Sequence, residues 1–314
     1  MSRHGGGVLV AGSANLDFVV RAHHVPAPGE TVLGRDFATF PGGKGANQAV
    51  ASARAGGVAT RMLLALGDDP YARVLEGALV EAGVAMHIVR VPGTASGTAF
   101  ICLSDDAENA ITVAPGANTG LRPHHLPSLR GISHVLLQLE TPLDSVAHYA
   151  QLAREAGVRV VLNAAPATPL PPGLLDNVDV LVVNEGELAT LAGDGAVAAQ
   201  AARLAVPCIV VTLGARGCFA RRGGEIFLQP AFPIDAVDTT AAGDTFCGAL
   251  AARLAEHAGL ADALRFASAA SALACTRLGA QTSIPARADV EAWLAGQPDA
   301  ASQQDALAAY CGLS

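Results

Sequence analysis

The chain has 314 residues, 51% of them hydrophobic and 15% charged, enough to bury a large core as one α/β domain or as a domain with an appendage. A net charge of −8 without any basic cluster excludes an electrostatic nucleic-acid surface. No run approaches the roughly 18 apolar residues of a membrane span, no signal-type segment opens the chain, and six scattered cysteines lack a C-x-x-C pair, so the expectation is a cytoplasmic protein with reduced thiols, without zinc or disulfides.

In chain order, the apolar run at residues 8–11 predicts a first strand. Asn15 and Asp17 follow it at alternate spacing, which turns both side chains to one side. There they either read the hydroxyls of a polyol through paired hydrogen bonds or simply shape a turn. Gly12 stands alone before Ser13, so the G-x-G-x-x-G dinucleotide fingerprint is missing. Residues 17–40 alternate apolar and polar positions with turn residues between, as an antiparallel hairpin does. The next segment, Pro41-Gly42-Gly43-Lys44-Gly45-Ala46-Asn47, holds the single lysine of a chain that otherwise takes its positive charge from arginine. Base composition alone can favour arginine, so the retained lysine suggests that a compact ammonium is wanted there. Helical spacing begins at Asn47 and runs to residue 55, but the glycines before it lack P-loop spacing and read equally as a structural turn or as a phosphate contact.

Further strands are predicted at 60–66, 135–139, 158–162, 178–183 and 208–213, with helices at 74–82 and 145–156. Such alternation implies a mainly parallel sheet covered on both faces. Residues 98–113 interrupt it with a second alternating hairpin. Two distant segments, about 15–40 and 96–115, are therefore expected to form one small β lid over ligands at the carboxyl ends of the parallel strands. Glu140 lies just past the 135–139 run, and Asn184 with Glu187 just past 178–183. The latter pair has the spacing of a helix cap with its i+3 acid, the commoner meaning of that pattern, and also of two side chains sharing one helix face. Thr212-Leu213-Gly214-Ala215-Arg216-Gly217 ends the next strand, either as an ordinary hairpin or as backbone amides facing a nucleotide.

The most informative stretch is Asp238-Thr239-Thr240-Ala241-Ala242-Gly243-Asp244-Thr245-Phe246. Phe246, Leu250 and Leu254 recur at intervals of four, which predicts an amphipathic helix starting near Ala242 or Gly243. Its first-turn N–H groups favour a phosphate or an oxyanion, and nothing larger than methyl at 241–243 keeps a ligand from the backbone. Asp244 is either a base beside that anion site or an acid that only supports the helix. All the polar groups named above fall at carboxyl ends of strands, the edge where one cleft forms; independent turns and caps would scatter over both edges. From Gln297 the chain is rich in Ala, Gln and Asp, and a peripheral helix is expected over 297–314, a tail on a single domain of residues 1–314.

Taken together, these segments resemble the ribokinase-like sugar kinases of the phosphofructokinase-B type over roughly residues 8 to 295. The resemblance implies a three-layer α/β/α fold with a mainly parallel central sheet and a small β-sheet lid. It implies that Asn15, Asp17, Gly43, Lys44, Asn47 and Glu140 hold a sugar, and that Asn184 and Glu187 form the N-x-x-E motif that organises magnesium and phosphate. Thr212, Gly214, Gly217 and Ser268 fall at the nucleotide. Asp244 matches the catalytic base, in contact with the acceptor, and the amides of Ala241, Ala242 and Gly243 the anion hole. Asp238, Thr240, Ala274, Arg277, Gly279 and Ser283 match the site of an activating monovalent cation, usually potassium, most of them through backbone oxygen. The implied cofactors are ATP, Mg2+ and K+, and the implied assembly is a homodimer through the lid sheet. Departures are Asn163-Ala164-Ala165-Pro166 where Asn-Pro-Ala-Pro is usual, Ser268 near the adenine pocket, and the tail after 297. The implied reaction is transfer of the γ-phosphoryl of ATP to a primary hydroxyl of a pentose, O5 of D-ribose in the first place. Alternative acceptors are deoxyribose, a ketose, a sugar acid or a nucleoside, and the reading from another class is a non-catalytic sugar or nucleotide sensor.

Overall fold

Two periodicities in the sequence sort the chain into two sheets. The computed structural model describes residues 6–104, 109–297 and 301–313. Strand β1 (Gly7–Ala11) is followed by β2 (Asn15–Arg21), β3 (Asp36–Gly42), helix α1 (Lys44–Arg54), β4 (Thr60–Leu66), α2 (Pro70–Glu81), β5 (Ala85–Arg90), β6 (Gly97–Leu103) and β7 (Asn109–Ala114). Then come β8 (Ile132–Leu137), α3 (Leu143–Glu155), β9 (Arg159–Asn163), β10 (Val180–Asn184), α4 (Glu185–Ala192), α5 (Val197–Arg203), β11 (Cys208–Thr212), β12 (Gly217–Arg222) and β13 (Glu225–Pro230). Helices α6 (Ala242–Ala255), α7 (Leu260–Cys275), α8 (Arg287–Ala295) and α9 (Ala301–Cys311) complete the described chain.

The large sheet has the order β13-β12-β11-β10-β9-β8-β1-β4-β5. Its pairings are parallel from β11 through β5, and β12 and β13 add an antiparallel edge. The 212–217 turn is thus a hairpin, with Thr212 opposite Cys218. Side chains alternate across the sheet as strand geometry requires. Val8 and Val10 join Met62, Leu64, Val50, Leu250 and Leu264 in one buried layer, under α1, α6 and α7. Leu9 and Ala11 join Leu63, Val146, Tyr149 and Leu188 in the other. The last helix, α9, sends Leu307 and Cys311 into this second layer. Chain order reverses at β1, between β8 and β4, which makes the carboxyl ends of β1 and β8 the place where an open α/β sheet forms its crevice.

The small sheet has the order β3-β2-β6-β7. Two antiparallel hairpins, β2–β3 and β6–β7, join through a parallel β2–β6 pairing that sets Asn15 between Gly42 and Gly97, and Asp17 between Phe40 and Ala99. The first helix begins at Lys44, earlier than the sequence period suggests. Gly43, the N-cap between β3 and α1, lies in the left-handed region at φ 87°, so a glycine-rich stretch that looks like loop already carries the first helical turn. The six cysteines are free thiols, and no helix among the described residues is long and apolar enough to cross a membrane.

Candidate active site

The first turn of α6 is the site's floor. Ala241 is its N-cap and offers no side-chain cap; the Ala242 N–H donates to the Thr239 carbonyl at 3.2 Å, and the dipole of the first turn still favours an anion there. Gly243 fronts open space: a Cβ built there would meet no atom within 4 Å. Ser271 on α7 donates to the Ala242 carbonyl at 2.8 Å and ties this turn down from behind.

Asp244, only 8% exposed, is held by two amides from the facing helix. Asn47 Nδ2 donates to its Oδ2 at 3.0 Å and Gln48 Nε2 to its Oδ1 at 2.9 Å. Gln48 Nε2 also donates to Asn163 Oδ1 at 3.0 Å, and its Oε1 accepts from Gln138 Nε2 at 2.6 Å. The chain Gln138–Gln48–Asp244 crosses the inner end of the cleft, and sequence reading missed both glutamines. Their signal was present in principle: Gln48 follows Asn47 as a second amide in a stretch of small residues, and Gln138 interrupts the apolar run 135–139. The close approach of α1 to α6 depends on Gly248, where a Cβ would strike the Gln48 carbonyl.

The N-terminus of α1 forms the adjoining wall. Glu140, just past β8, accepts from Ser13 Oγ at 2.5 Å and from the Lys44 N–H at 3.1 Å, bridging the carboxyl ends of β1 and β8. Ser13 is a further residue that sequence reading passed over. Gly43 has no room for a side chain, since a Cβ would lie 2.7 Å from the Asn15 amide nitrogen. Asp244 chiefly, with Glu140 and Glu187, pulls the Lys44 pKa up against the opposing effect of burial, so its ammonium stays charged. Asp17 is its counterpart: burial, then the charges of Glu140 and Asp244, push its carboxyl up to about 7. The predicted sugar residues Asn15, Asp17, Gly43, Lys44, Asn47 and Glu140 therefore share one electrostatic neighbourhood with Asp244.

On the other side, Asn184 and Glu187 form a reciprocal cap of α4. The Glu187 N–H donates to Asn184 Oδ1 and the Asn184 N–H to Glu187 Oε2, both at 2.8 Å. The cap reading of this spacing is thus realised, and burial raises the pKa of Glu187 while Lys44 opposes the rise. Thr212 ends β11, and Gly214 (φ 57°) and Gly217 (φ 113°) bound the turn that follows. Ser268 on α7 lies behind this turn, with its hydroxyl 3.9 Å from Cys218 Sγ. Arg216 of the same turn donates to the Tyr310 hydroxyl at 2.6 Å and stacks on its ring at 4.0 Å, so α9 is docked to the hairpin.

Two segments behind α6 are laced together by Asp238. Its Oδ1 accepts from the Thr240 N–H and hydroxyl, at 2.9 and 2.5 Å, and its Oδ2 from the Gly279 N–H at 2.9 Å. Burial opposes its charge, yet these bonds hold its carboxyl below the usual range. The Arg277 N–H donates to the Ala274 carbonyl at 3.3 Å, and Ser283 Oγ to the Ala280 carbonyl at 2.9 Å. This donor set of carboxylate, hydroxyl and carbonyl oxygens fits a hard cation. Among the described residues no group of three His, Cys, Asp or Glu side chains forms a metal cage; the single carboxylate of Glu187 fits a Mg2+ that is carried on phosphates and keeps its waters.

Comparison with known proteins finds relatives along most of the chain. The pattern of the pfkB family carbohydrate kinases matches residues 7–287. A ribokinase of Haemophilus influenzae is 38% identical over 293 residues, 89% of this chain and 95% of that protein. A ribokinase of Bacillus subtilis is 38% identical over 289 residues, 90% and 98% respectively. The structure of Arabidopsis thaliana ribokinase complexed with ribose and ATP superposes with a TM-score of 0.86 at 32% identity, covering 94% of this chain and all of that one (100%). The chain belongs to the pfkB family of carbohydrate kinases and has the ribokinase-like fold; it is a sugar kinase, a phosphotransferase.

Proposed function

We propose that this chain is a ribokinase, transferring the γ-phosphoryl of ATP to O5 of D-ribose. The carrying observation is the Asp244 carboxylate, fixed by Asn47 and Gln48 on an uncapped helix N-terminus in the electrostatic neighbourhood of the chain's lone lysine. Phosphoryl transfer asks for positioning and charge neutralisation more than for covalent chemistry. Asn15, Asp17, Gly43, Lys44, Asn47 and Glu140 bind the sugar hydroxyls. Asp244 accepts the O5 proton as the O5–phosphorus bond forms and the bond from the γ-phosphorus to the β–γ bridging oxygen breaks. The amides of Ala241, Ala242 and Gly243 hold the charge on the phosphoryl oxygens. Asn184, Thr212, Gly214, Gly217 and Ser268 would hold ATP, and Glu187 would help hold its magnesium. When bound, Mg2+ neutralises phosphate charge, and K+ at the segments around Asp238 and Gly279 supports the anion hole from behind. The names of the two bacterial relatives and the ligands of the plant structure support ribose and ATP as the pair.

The small sheet acts as the lid in this reading and as a homodimer surface. Phe37 and Phe100 are 66% and 54% exposed and stack on either side of Phe18, with centroids at 6.2 and 5.2 Å; such an apolar face on a small sheet favours self-association. Free thiols throughout support a cytoplasmic location. The test is ADP release with ATP, Mg2+ and D-ribose, with and without K+, against Asp244→Ala. Ribose-dependent, K+-stimulated release that disappears in the variant supports the assignment. Activity on a different sugar alone overturns the acceptor, and silence on every acceptor overturns the enzyme reading.

A further inference from the structure

Asn118, on the turn that follows the small sheet, is 1% exposed and belongs to none of the sugar, nucleotide or cation segments above. Its amide can be oriented in one way only. Oδ1 faces the Ala14 N–H at 3.0 Å, an obligatory donor, and Nδ2 faces the Ala14 carbonyl at 3.2 Å, an obligatory acceptor. Nδ2 also donates at 2.7 Å to Asn15 Oδ1. The backbone of Ala14 therefore fixes the amide of Asn118, and Asn118 fixes the amide of Asn15. With Oδ1 turned to Asn118, the Nδ2 edge of Asn15 is left to face the side shared with Asp17, two residues along the same strand face. Asp17 in turn feels the charges of Glu140 and Asp244. The packing leaves no slack, because a Cβ at Gly97, the strand neighbour of Asn15, would run into Asn15 Oδ1 and Asn118 Nδ2. The same turn is tied to the root of β6 by the Ala117 N–H, which donates to the Ala95 carbonyl at 2.8 Å.

We propose that Asn118 is a positioning residue for the acceptor sugar: it presents Asn15 to the cleft as a hydrogen-bond donor rather than an acceptor, and so selects a hydroxyl oxygen at that position. The proposal rests on the sugar-kinase reading and on Asn15 touching the sugar, but not on the sugar being ribose.

The test is a double-mutant cycle of Asn118→Ala and Asn15→Ala, with KM for ribose and for ATP and kcat measured for each protein. Asn118→Ala is expected to raise the sugar KM on the order of tenfold, the loss of one buried hydrogen-bond donor's alignment, with the ATP KM within about twofold. In the Asn15→Ala background the same change adds nothing to the sugar KM, because its effect runs through Asn15. A merely structural role gives full additivity, or equal changes in both KM values, and either result overturns the proposal. Asn118→Asp is the isosteric second variant if the alanine protein does not fold. It retains the acceptor for Ala14 and draws Asn15 Nδ2 toward itself, so the sugar KM rises by at least about tenfold; a sugar KM within about twofold of wild type overturns the proposal. Wild-type inactivity on ribose overturns only the acceptor assignment, and the cycle is then read on the sugar that does support turnover.

Discussion

Asn47 Nδ2 and Asp244 Oδ2 lie 3.0 Å apart although 197 residues separate them in the chain. The bond joins the first turns of two helices, so the orientation of the proposed base is set by α1 and not by its own helix. Asp244→Ala is expected to lower kcat by about 10²–10⁴-fold, with ribose affinity by calorimetry held within about tenfold. A variant that turns over near the wild-type rate removes Asp244 from the chemistry.

Gln48 is the hub of the amide chain. Gln48→Leu leaves Asp244 Oδ1, Asn163 Oδ1 and Gln138 Nε2 without their bonds to this side chain. The expected loss is about 2–4 kcal/mol of stability in denaturant unfolding and about tenfold in kcat. Unchanged stability would mean that those partners find other bonds.

Asp17 carries a pH signature. Its folded pKa of about 7 exceeds the ordinary 3.8, so between those values the folded protein holds the proton more tightly than the unfolded chain. Stability contributed by this group falls as pH rises through that window and is lowest above about 7. Asp17→Asn removes the effect: relative to wild type, its melting midpoint is expected to rise by about 2–4 °C more at pH 8.5 than at pH 5. An equal offset at both pH values contradicts the raised pKa. The same variant should bind sugar poorly, since a carboxylate acceptor is gone.

Gly43 combines a positive φ with contact to Asn15. Gly43→Ala is expected to cost about 1–3 kcal/mol and to raise the sugar KM, because the shift pushes on Asn15 and Lys44 together. Wild-type values for both would show that the 42–45 turn is free to adapt.

Potassium dependence is the check on the Asp238 segments. Replacing K+ by a bulky organic cation should lower turnover severalfold, and Asp238→Ala should abolish that response. A variant that keeps the full K+ response places the cation elsewhere.

Much of this was legible in residue types alone. The small residues of 238–246 showed where α6 starts, and the apolar runs showed the parallel strands of the large sheet. What escaped was long-range. Ser13, Gln48, Asn118 and Gln138 matter through partners 90 or more residues away, and a single sequence carries no distance information. Strand β5 escaped because Ala85-Met86-His87-Ile88-Val89-Arg90 mixes polar with apolar positions, as an edge strand does. The helix-cap and ligand readings of Asn184 and Glu187 could not be separated by spacing, since the Glu187 carboxylate that completes the cap also feels the charge of Lys44.

Lys44 is the only ε-amine in the chain, and it stands in the cleft. An acylating reagent directed at amines therefore meets one lysine, and the protonation enforced by Asp244, Glu140 and Glu187 makes it slow to react. Its labelling rate, followed on the peptide that carries Lys44 so that acylation of the faster-reacting α-amine is counted separately, is a built-in reporter of what occupies the cleft, free of the background that dozens of surface lysines give in other proteins. The same scarcity means that a lysine-specific protease can cut the native chain only by opening the first turn of α1.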